Sequence, residues 1–405
     1  MPVVTPARYT PVPKRPRKRR PFLRIVVALA LIASIVNYVR PLPTPTATLS
    51  LYIPAAVAAS PISWPGGGEA AIAANGYGLL DTYNTQTPIA TASIAKVITA
   101  LCVLQKQPLN LGQAGPTYTI TAADMAIYQN YVDQDGSLVD VEQGEHLTEY
   151  QALEALMIPS ANNIADSLVR WVFGGQVNYA AYATAYLQRQ GLNQTHIGSD
   201  ASGFAPDTTS TASDLTSLGL LALKNPVLME IAGKESTELP VAGMVTNYDT
   251  VLGTHGITGL KTGNNDADPG AFLFTATRSI GSRTVDFTGA VMGAPDLNTA
   301  LQTAQQLSDS MRQNFTEAHI ASAQQAVGSL QTAWGGKTDI ITSSDVALVH
   351  WKSTPLTETH KLNPNVHSGT VGSLKVASGQ AHASTNLELK HAISGPSFWW
   401  RLTRL

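Results

Sequence analysis

A serine and a lysine stand one helical turn apart at Ser93-Ile94-Ala95-Lys96, the only S-x-x-K in the chain. A serine hydroxyl is a poor nucleophile unless a base removes its proton, and a lysine that its surroundings keep neutral can be that base. Apolar residues recur at helical spacing after Ser93, so the motif is predicted at the start of a helix. There the free backbone N–H groups favour negative charge, and the N–H of Ser93 can donate to a forming oxyanion.

Two further triplets hold polar groups that suit the same chemistry. An S-x-N at 160–162 leads into a predicted helix, and a K-T-G at 261–263 ends a strand-like run. Lys261 and Thr262 supply a charge and a hydroxyl for a carboxylate, and Gly263 leaves room for another backbone. Each triplet alone has an ordinary explanation, because Ser160 suits a helix N-cap and a second S-x-N occurs at 384–386.

The three motifs follow one another with 67 positions from Ser93 to Ser160 and 101 from Ser160 to Lys261. This order is that of the penicillin-recognising serine enzymes. From about residue 66 to 295 the chain resembles a low-molecular-mass penicillin-binding protein of the D-alanyl-D-alanine carboxypeptidase family. Segments outside the motifs resemble the family as well: 91–92, 141–145, 200–203, 210–215 and 256–260.

The resemblance implies a serine-type D-Ala-D-Ala carboxypeptidase that removes the terminal D-alanine of peptidoglycan stem peptides and is acylated by β-lactams. Ser93 is then the acylated nucleophile, Lys96 its base, and Ser160 the group that passes a proton to the leaving D-alanine. The implied substrate-binding residues are Asn162, Lys261, Thr262, Gly263 and Asn264, with the N–H groups of Ser93 and Asn264 as oxyanion hole. Arg278 or Arg283 is a candidate for assisting the carboxylate. No cofactor and no metal are implied.

Several alternatives stay open. Asn265 stands where the family usually has threonine, and residues 266–270 are one residue longer than usual, which leaves substrate preference and a D,D-endopeptidase activity undecided. A β-lactamase of the same fold needs a glutamate after S-x-N, but no Glu occurs between Asn162 and Glu230. No H-E-x-x-H supports a zinc peptidase. A non-catalytic cell-wall binding protein would keep the fold without the activity.

Strand-like runs at both ends of the resembling region, with helical patterns between, predict the fold class. It is an α/β fold, a β-lactamase/D,D-peptidase-like sheet flanked by helices with a helical lobe, followed by a small all-β C-terminal domain. The predicted boundaries are a basic tail at 1–21, a signal-anchor at 22–39, a Pro/Thr/Ala-rich linker at 40–65, the catalytic domain at 66–316, the β-rich domain at 317–397 and a tail at 398–405.

Charge and hydropathy predict where the chain lies. A formal net charge of -2 argues against nucleic-acid binding, since the basic excess is confined to a run at 14–20 directly before an apolar segment. Eighteen residues, 22–39, approach the length of a bilayer-spanning helix, although a cleaved signal peptide stays open. The positive charges predict a cytoplasmic N-terminus and an extracytoplasmic catalytic domain on a single-pass anchor. The aromatic ending at 398–402 is interpreted as core packing rather than a membrane contact.

Overall fold

The structure, a computed structural model, describes residues 1–6, 8, 10, 21–265 and 268–404. The basic run at 14–20, from which the membrane orientation is predicted, lies outside these residues. Residues 266 and 267, which belong to the longer segment predicted after K-T-G, also lie outside them.

The elements follow one another from an apolar N-terminal helix to a strand-rich C-terminal part. The helices are α1 (Pro21–Val39), α2 (Ala95–Lys106), α3 (Ala122–Asp133), α4 (Glu149–Met157), α5 (Asn162–Phe173), α6 (Gln176–Arg189), α7 (Ala212–Ala222), α8 (Pro226–Ala232), α9 (Leu297–Asn314) and α10 (Phe398–Thr403), with a single 3₁₀ turn described at Ala92–Ile94. The strands are β1 (Thr46–Leu49), β2 (Glu69–Ala74), β3 (Gly78–Tyr83), β4 (Ile89–Ala90), β5 (Thr117–Thr119), β6 (His146–Thr148), β7 (Thr209–Ser210), β8 (Ser236–Leu239), β9 (Gly243–Thr246), β10 (Ile257–Asn265), β11 (Asp268–Ile280), β12 (Arg283–Ala294), β13 (Phe315–Ala321), β14 (Ala326–Gln331), β15 (Lys337–Thr342), β16 (Val346–Trp351), β17 (Thr357–Leu362), β18 (Thr370–Ser378) and β19 (Ala381–Leu389).

A five-stranded antiparallel sheet in the order β10-β11-β12-β2-β3 forms the centre of the molecule. Strand β2 is buried along its whole length because helices cover both faces of the sheet. Helix α9 packs against β11 and β12 on one face, and α7 packs against β12 and β2 on the other. Strands from the two ends of this region therefore close one sheet, and its edge strand β10 faces the helical lobe.

The helical lobe surrounds α2, whose residues are buried up to the last turn. Helices α4, α5 and α6 pack against α2, and their apolar residues form one cluster with one face of the sheet. Helix α4 begins where the Thr148 hydroxyl oxygen accepts a hydrogen bond from the backbone N–H of Gln151, and the Thr148 backbone N–H donates to Gln151 Oε1. The lobe thereby holds the starts of α2 and α5 against the edge of the sheet.

The C-terminal part is a β module that begins directly after α9. Strand β13 pairs with β16, and a six-stranded antiparallel sheet has the order β1-β14-β15-β19-β18-β17. Exposed and buried residues largely alternate along β18 and β19, as expected for strands with one face on a core. The module buries an apolar cluster of its own around Leu374, Val376 and Leu387.

The segment at 40–65, which the composition predicts as an extended linker, contains β1, and β1 pairs with β14 from Thr46↔Gln331 to Leu49↔Gly328. The short Thr-Ala-Thr-Leu run alternates polar and apolar residues, which suits the edge of a half-buried sheet. The sequence did not predict this strand, because an alternating pattern of only four residues is too short to be recognised within a proline-rich segment.

Candidate active site

Ser93 lies in the 3₁₀ turn Ala92–Ile94, which continues directly into α2. The preceding residue, Ala92, has φ +45°, a left-handed conformation that costs a non-glycine residue free energy. Gly203 of a neighbouring loop lies so close that a Cβ on it would stand 2.1 Å from the carbonyl oxygen of Ala92. The turn that carries Ser93 is therefore fixed from outside.

Lys96 is completely buried one turn along the same helix. Its Nζ lies 2.8 Å from Ser93 Oγ, 2.7 Å from Asn162 Oδ1 and 3.0 Å from the carbonyl oxygen of Ser202. A neutral amine has two N–H donors and one lone pair. Donation to Asn162 Oδ1 and to the Ser202 carbonyl uses both donors, so the lone pair can accept the hydroxyl proton of Ser93.

The surroundings of Lys96 favour this neutral form. Burial lowers the pKa of the Lys96 ammonium well below its usual value of 10.5, and the positive charge of Lys261 lowers it further. The carboxylates of Asp200 and Asp166 act in the opposite direction. Because burial is the largest cause, the site supplies a free amine next to the serine hydroxyl.

The loop 200–205 positions the Ser202 carbonyl that Lys96 contacts. Asp200 accepts hydrogen bonds from the backbone N–H groups of Ser202, at 2.7 Å, and of Ala205, at 2.7 Å. Asp166 accepts one from the N–H of Ala201 at 3.0 Å. Residues 200–203 resemble the family in sequence, but the sequence assigned them no role. Hydrogen bonds to backbone N–H groups do not depend on the side chains of the donors, so only Asp200 and Gly203 carry any sequence signal.

Ser160 and Asn162 stand at the start of α5, where Asn162 contacts Lys96. The N-cap of α5 is Ala161, so Ser160 does not cap the helix. Ser160 is buried at 3% exposure with φ +62°, and its Oγ has no hydrogen-bond partner within the described part of the chain. A buried hydroxyl in a strained backbone conformation, left without a partner, is typical of a functional position.

Strand β10 brings the K-T-G triplet alongside the serine turn. A Cβ on Gly263 would stand 3.1 Å from the carbonyl oxygen of Thr91 and 3.3 Å from the Ala92 Cβ, so glycine permits the close approach. Lys261 and Thr262 are buried, and Lys261 Nζ donates to the Thr262 carbonyl oxygen at 3.1 Å. Asn264, which follows, is exposed.

Lys261 has a carboxylate in its surroundings that the sequence did not single out. Burial lowers the pKa of Lys261 to about 7, and the charge of Asp249 opposes this shift. Burial raises the pKa of Asp249 to about 6, although the hydrogen bond from the Val251 N–H and the charge of Lys261 both act to lower this pKa. Asp249 Oδ1 accepts from the Val251 N–H at 3.1 Å, while its Oδ2 is buried without a hydrogen-bond partner in the described chain.

The two candidate arginines lie elsewhere. Lys261 pairs with Leu273 on β11, and Arg278 is five residues further along that strand, about 16 Å away at ~3.3 Å per residue. Arg278 donates to Asp309 Oδ1 at 2.8 Å, and Arg283 lies 3.5 Å from Glu317 Oε1. Both arginines are thus engaged with α9 or the β module. The second S-x-N, at 384–386, lies in β19 of that module.

The structure therefore brings Ser93, Lys96 and Asn162 into direct contact and places Gly263 against the serine turn. Such a pocket can deprotonate a hydroxyl with a neutral amine and hold an anion beside a buried lysine. Within the described residues no cluster of three or more His, Cys, Asp or Glu side chains suits a metal ion. The chemistry that the pocket offers is nucleophilic attack by serine.

Comparison with known proteins gives the same picture. A family model described as D-alanyl-D-alanine carboxypeptidase matches residues 69–296, more than half of the chain. The Mycobacterium tuberculosis D-alanyl-D-alanine carboxypeptidase DacB2 is 30% identical over 193 residues, which cover 46% of this chain and 62% of the relative. The aligned part thus spans less than two thirds of that relative's length.

Two solved structures resemble the fold. Penicillin binding protein 6B from Escherichia coli superposes with a TM-score of 0.60 at 19% identity, covering 84% of this chain and 99% of that one. The Streptomyces K15 DD-transpeptidase has a TM-score of 0.55 at 23% identity, covering 63% of this chain and 98% of its own. The predicted fold class is confirmed. The superposition on penicillin binding protein 6B covers 84% of this chain, so it extends beyond the sheet and the helical lobe into the β module.

Proposed function

This chain belongs to the D-alanyl-D-alanine carboxypeptidase family, and from this membership we propose that it is a serine D,D-carboxypeptidase acting on peptidoglycan stem peptides that end in D-Ala-D-Ala. The observation that carries the proposal is the 2.8 Å contact between Lys96 Nζ and Ser93 Oγ at a lysine whose pKa burial holds low. A serine hydroxyl beside a neutral amine is an activated nucleophile.

The proposed reaction has two steps. Ser93 Oγ attacks the carbonyl carbon between the two D-alanines while its proton moves to Lys96 Nζ, and the resulting oxyanion accepts hydrogen bonds from the backbone N–H groups of Ser93 and Asn264. The C–N bond then breaks as Ser160 donates its hydroxyl proton to the leaving D-alanine nitrogen and takes up the proton held by Lys96, so both side chains return to their neutral forms. Water attacks the ester and releases the shortened peptide, with Lys96 again taking and returning the proton. A β-lactam undergoes only the first step. Its C–N bond breaks when the ring opens, but the nitrogen stays attached to the acyl group, so no separate product leaves.

Asn162, Lys261, Thr262 and Gly263 are proposed to bind substrate. Asn162 already accepts a hydrogen bond from Lys96 and holds the amine toward Ser93. Lys261 and Thr262 are proposed to bind the terminal carboxylate, and Gly263 lets the peptide lie along β10. With Arg278 and Arg283 engaged elsewhere, Lys261 is the proposed cation for this carboxylate.

Domain layout and location form part of the proposal. We assign a catalytic domain to 66–316, a β-rich domain to 317–397, and an anchor to the apolar helix. Residues Phe22–Val39 have a mean hydropathy of 2.2 and are not buried by the rest of the protein, which suits a membrane span by length and composition, as it also suits a signal sequence. The anchor would leave the catalytic domain on the extracytoplasmic side, where peptidoglycan is found.

The test uses the full chain in detergent. After incubation with benzylpenicillin, the intact mass is expected to rise by one penicilloyl group, and the Ser93→Ala variant is expected to show no rise. Ser384→Ala, which changes an exposed serine of the β module, is the matched control and should be acylated like the unchanged chain. Labelling that persists in Ser93→Ala would refute the nucleophile.

Substrate choice is tested separately by D-alanine release from a pentapeptide ending in D-Ala-D-Ala, its C-terminal amide and a crosslinked dimer. The free acid should turn over fastest, because the charge-assisted bonds to a carboxylate are each worth ~1.5–3 kcal/mol. Faster turnover of the dimer would make the chain an endopeptidase. Rapid release of the penicilloyl group would instead indicate a β-lactamase, and no hydrolysis at all would indicate a binding protein.

A further inference from the structure

The proposed site draws its residues from two separate parts of the fold. The serine nucleophile, its lysine base and Ser160 belong to the helical lobe. Ser160 follows the last turn of α4, and the next N–H, that of Ala161, donates to the Ala155 carbonyl oxygen at 3.0 Å. Lys261 belongs instead to β10, the edge strand of the central sheet. A substrate bound by its carboxylate and attacked at its carbonyl carbon therefore needs the lobe and the strand at a fixed separation.

Strand β10 is held on both sides of Lys261. Gly263, which follows it along the strand, lies against the turn that carries the serine. Gly259, which precedes it, lies against the end of α8, where a Cβ on this glycine would stand 2.9 Å from the Ala232 carbonyl oxygen. Helix α8 packs against the same strand. The position of Lys261 therefore depends on where the end of α8 is held.

A group of four side chains, which we call the clasp, joins α4 to the end of α8: Tyr150, Glu154, Glu230 and Lys234. Lys234 Nζ lies 2.7 Å from Glu154 Oε1 and 4.9 Å from the centre of the Tyr150 ring. The Tyr150 hydroxyl donates to Glu230 Oε1. Thr237, at the start of the next strand, donates to the same Glu154 oxygen at 2.9 Å. The clasp thus connects the helix that ends beside Ser160 with the helix that packs on β10.

Burial makes the clasp more than a loose surface pair. Glu154 is 4% exposed, so its carboxylate depends on the charge of Lys234, and a buried charge that loses its partner is strongly destabilising. Partial burial lowers the pKa of Lys234, but the hydrogen bonds with Glu154 and Tyr150 outweigh this effect and raise the pKa to about 12. Lys234 therefore keeps its charge, and the pair persists, across the neutral pH range.

We propose that the clasp sets the separation between the helical lobe and Lys261, so that Glu154 and Lys234 are positioning residues for the recognition of a free terminal carboxylate. This proposal rests on the proposed function. The two residues act through the α4 turn and strand β10, which they hold, and not by contact with substrate. When the clasp is broken, the peptide carbonyl still reaches the serine, but its carboxylate no longer meets Lys261 in the same geometry. The free acid then loses its advantage over an uncharged chain end.

The test measures kcat/KM of the full chain for hydrolysis of the D-Ala-D-Ala pentapeptide and of its C-terminal amide. Glu154→Met and Lys234→Met should each lower the ratio of free acid to amide about 10-fold, a part of the ~10²-fold that a misplacement of 1 Å can cost. Lys234→Arg, which keeps a cation within reach of Glu154, should retain most of the preference. Lys390→Met, which removes an exposed Lys–Asp pair of the β module, is the matched control and should leave the ratio unchanged.

The double variant Glu154→Met/Lys234→Met guards against misfolding, because it leaves no buried charge unpaired. Its ratio should fall as in the single variants, and melting temperatures show that each variant is folded. A role in stability alone would lower the turnover of both substrates alike, and that result would overturn the proposal. Normal hydrolysis with an unchanged ratio in the double variant refutes the clasp alone. Absence of hydrolysis in the unchanged chain refutes the proposed function, and the role of the clasp with it.

Discussion

The catalytic region and the C-terminal β module are both built on antiparallel sheets, but they bury different kinds of side chain. The catalytic region buries the lysines Lys96 and Lys261 and the carboxylates Asp249 and Glu149. Among the described residues 315–397, the buried polar side chains are four threonines, Ser378 and His350. Burying charge is costly, so the difference indicates that the site around Ser93, Ser160 and Lys261, here called the cleft, is shaped by chemistry and the module by packing.

Residues with a strained backbone occur both in the cleft and in the module, but their surroundings differ. Ala92 and Ser160 of the cleft have positive φ, and so does Gln324 of the module. The cleft residues are buried at the site, whereas Gln324 lies in an exposed turn. Because the backbone conformation is alike in the two regions, matched substitutions can separate the free energy of backbone strain from its effect on activity.

The largest expected effect comes from the buried lysine. Lys96→Met keeps a long side chain in the same space but removes the proposed base, so the rate of acylation by penicillin should fall ~10²–10⁴-fold. Lys375→Met, at an exposed lysine of β18, should leave the rate unchanged. Stopped-flow acylation measures both. A normal rate in Lys96→Met would mean that the buried charge of the cleft has only a structural role.

The second prediction compares two glycines with the same backbone conformation. Gly203 has φ +72° and Gly369 of the module has φ +73°, but a Cβ would meet the Ala92 carbonyl oxygen at 2.1 Å in the first case and nothing within 4 Å in the second. Gly203→Ala and Gly369→Ala therefore share a backbone cost of ~1–2 kcal/mol.

Only Gly203→Ala should also displace the turn that carries Ser93, and we expect its acylation rate to fall ~10²-fold, because a small misplacement of a reacting atom has that effect. Gly369→Ala should be acylated normally. The same penicillin assay, read with the melting temperature of each variant, separates the two costs. Equal acylation in both variants would show that the serine turn tolerates displacement.

Sequence patterns could predict the motif residues and the fold class because each motif is local and its order along the chain is specific. The helices and strands around them follow from apolar periodicity, as in α2 and β18. The environment of Lys261 could not be predicted, since the fold brings the charge of Asp249 into its surroundings and Asp249 carries no local signature. The positions of Arg278 and Arg283 were equally undetermined, because strand register decides where Arg278 lies on β11 and Arg283 on β12.

The aromatic tail shows the same limit from the other side. Its composition allows either core packing or a membrane contact, and the interpretation as core packing fits Trp400, which packs on Trp334, but not the exposed Trp399. Which alternative holds depends on contacts with Asn37 and Tyr38, more than 350 positions away. A pattern of five residues cannot encode such a distant partner.

The third prediction concerns pH. Lys261 is proposed to bind the substrate carboxylate in its protonated form, so affinity should fall as pH rises through its pKa of about 7. The Asp249 charge raises this pKa, and Asp249→Asn should lower it by about one unit, which shifts the fall in affinity to lower pH. At pH 8 the KM for the free-acid peptide should rise about 10-fold.

The matched control is Asp339→Asn, where a carboxylate of the module lies 3.4 Å from Lys390 at the exposed surface. It should leave the pH profile of KM unchanged, because that pair is solvated and distant from the substrate. The amidated peptide supplies a second control, since its KM should not follow the Lys261 titration. A profile in Asp249→Asn that coincides with the unchanged chain would remove Asp249 from the site.

The smallest expected effect is on stability, at two residues with the same strained backbone. Ser160 has φ +62° and Gln324 has φ +61°. Glycine relieves ~1–2 kcal/mol of strain at such a position but gains unfolded-state entropy worth ~0.4–1 kcal/mol, so Ser160→Gly and Gln324→Gly should each be stabilised by at most about 1.6 kcal/mol. Calorimetry on the full chain measures the shift in stability, with Ser160→Ala as the variant that removes the hydroxyl and keeps the strain.

D-alanine release should fall in Ser160→Gly and Ser160→Ala alike and stay normal in Gln324→Gly. Stabilisation without any loss of activity in Ser160→Gly would show that the strain at Ser160 does not serve catalysis and would break the contrast between the cleft and the module.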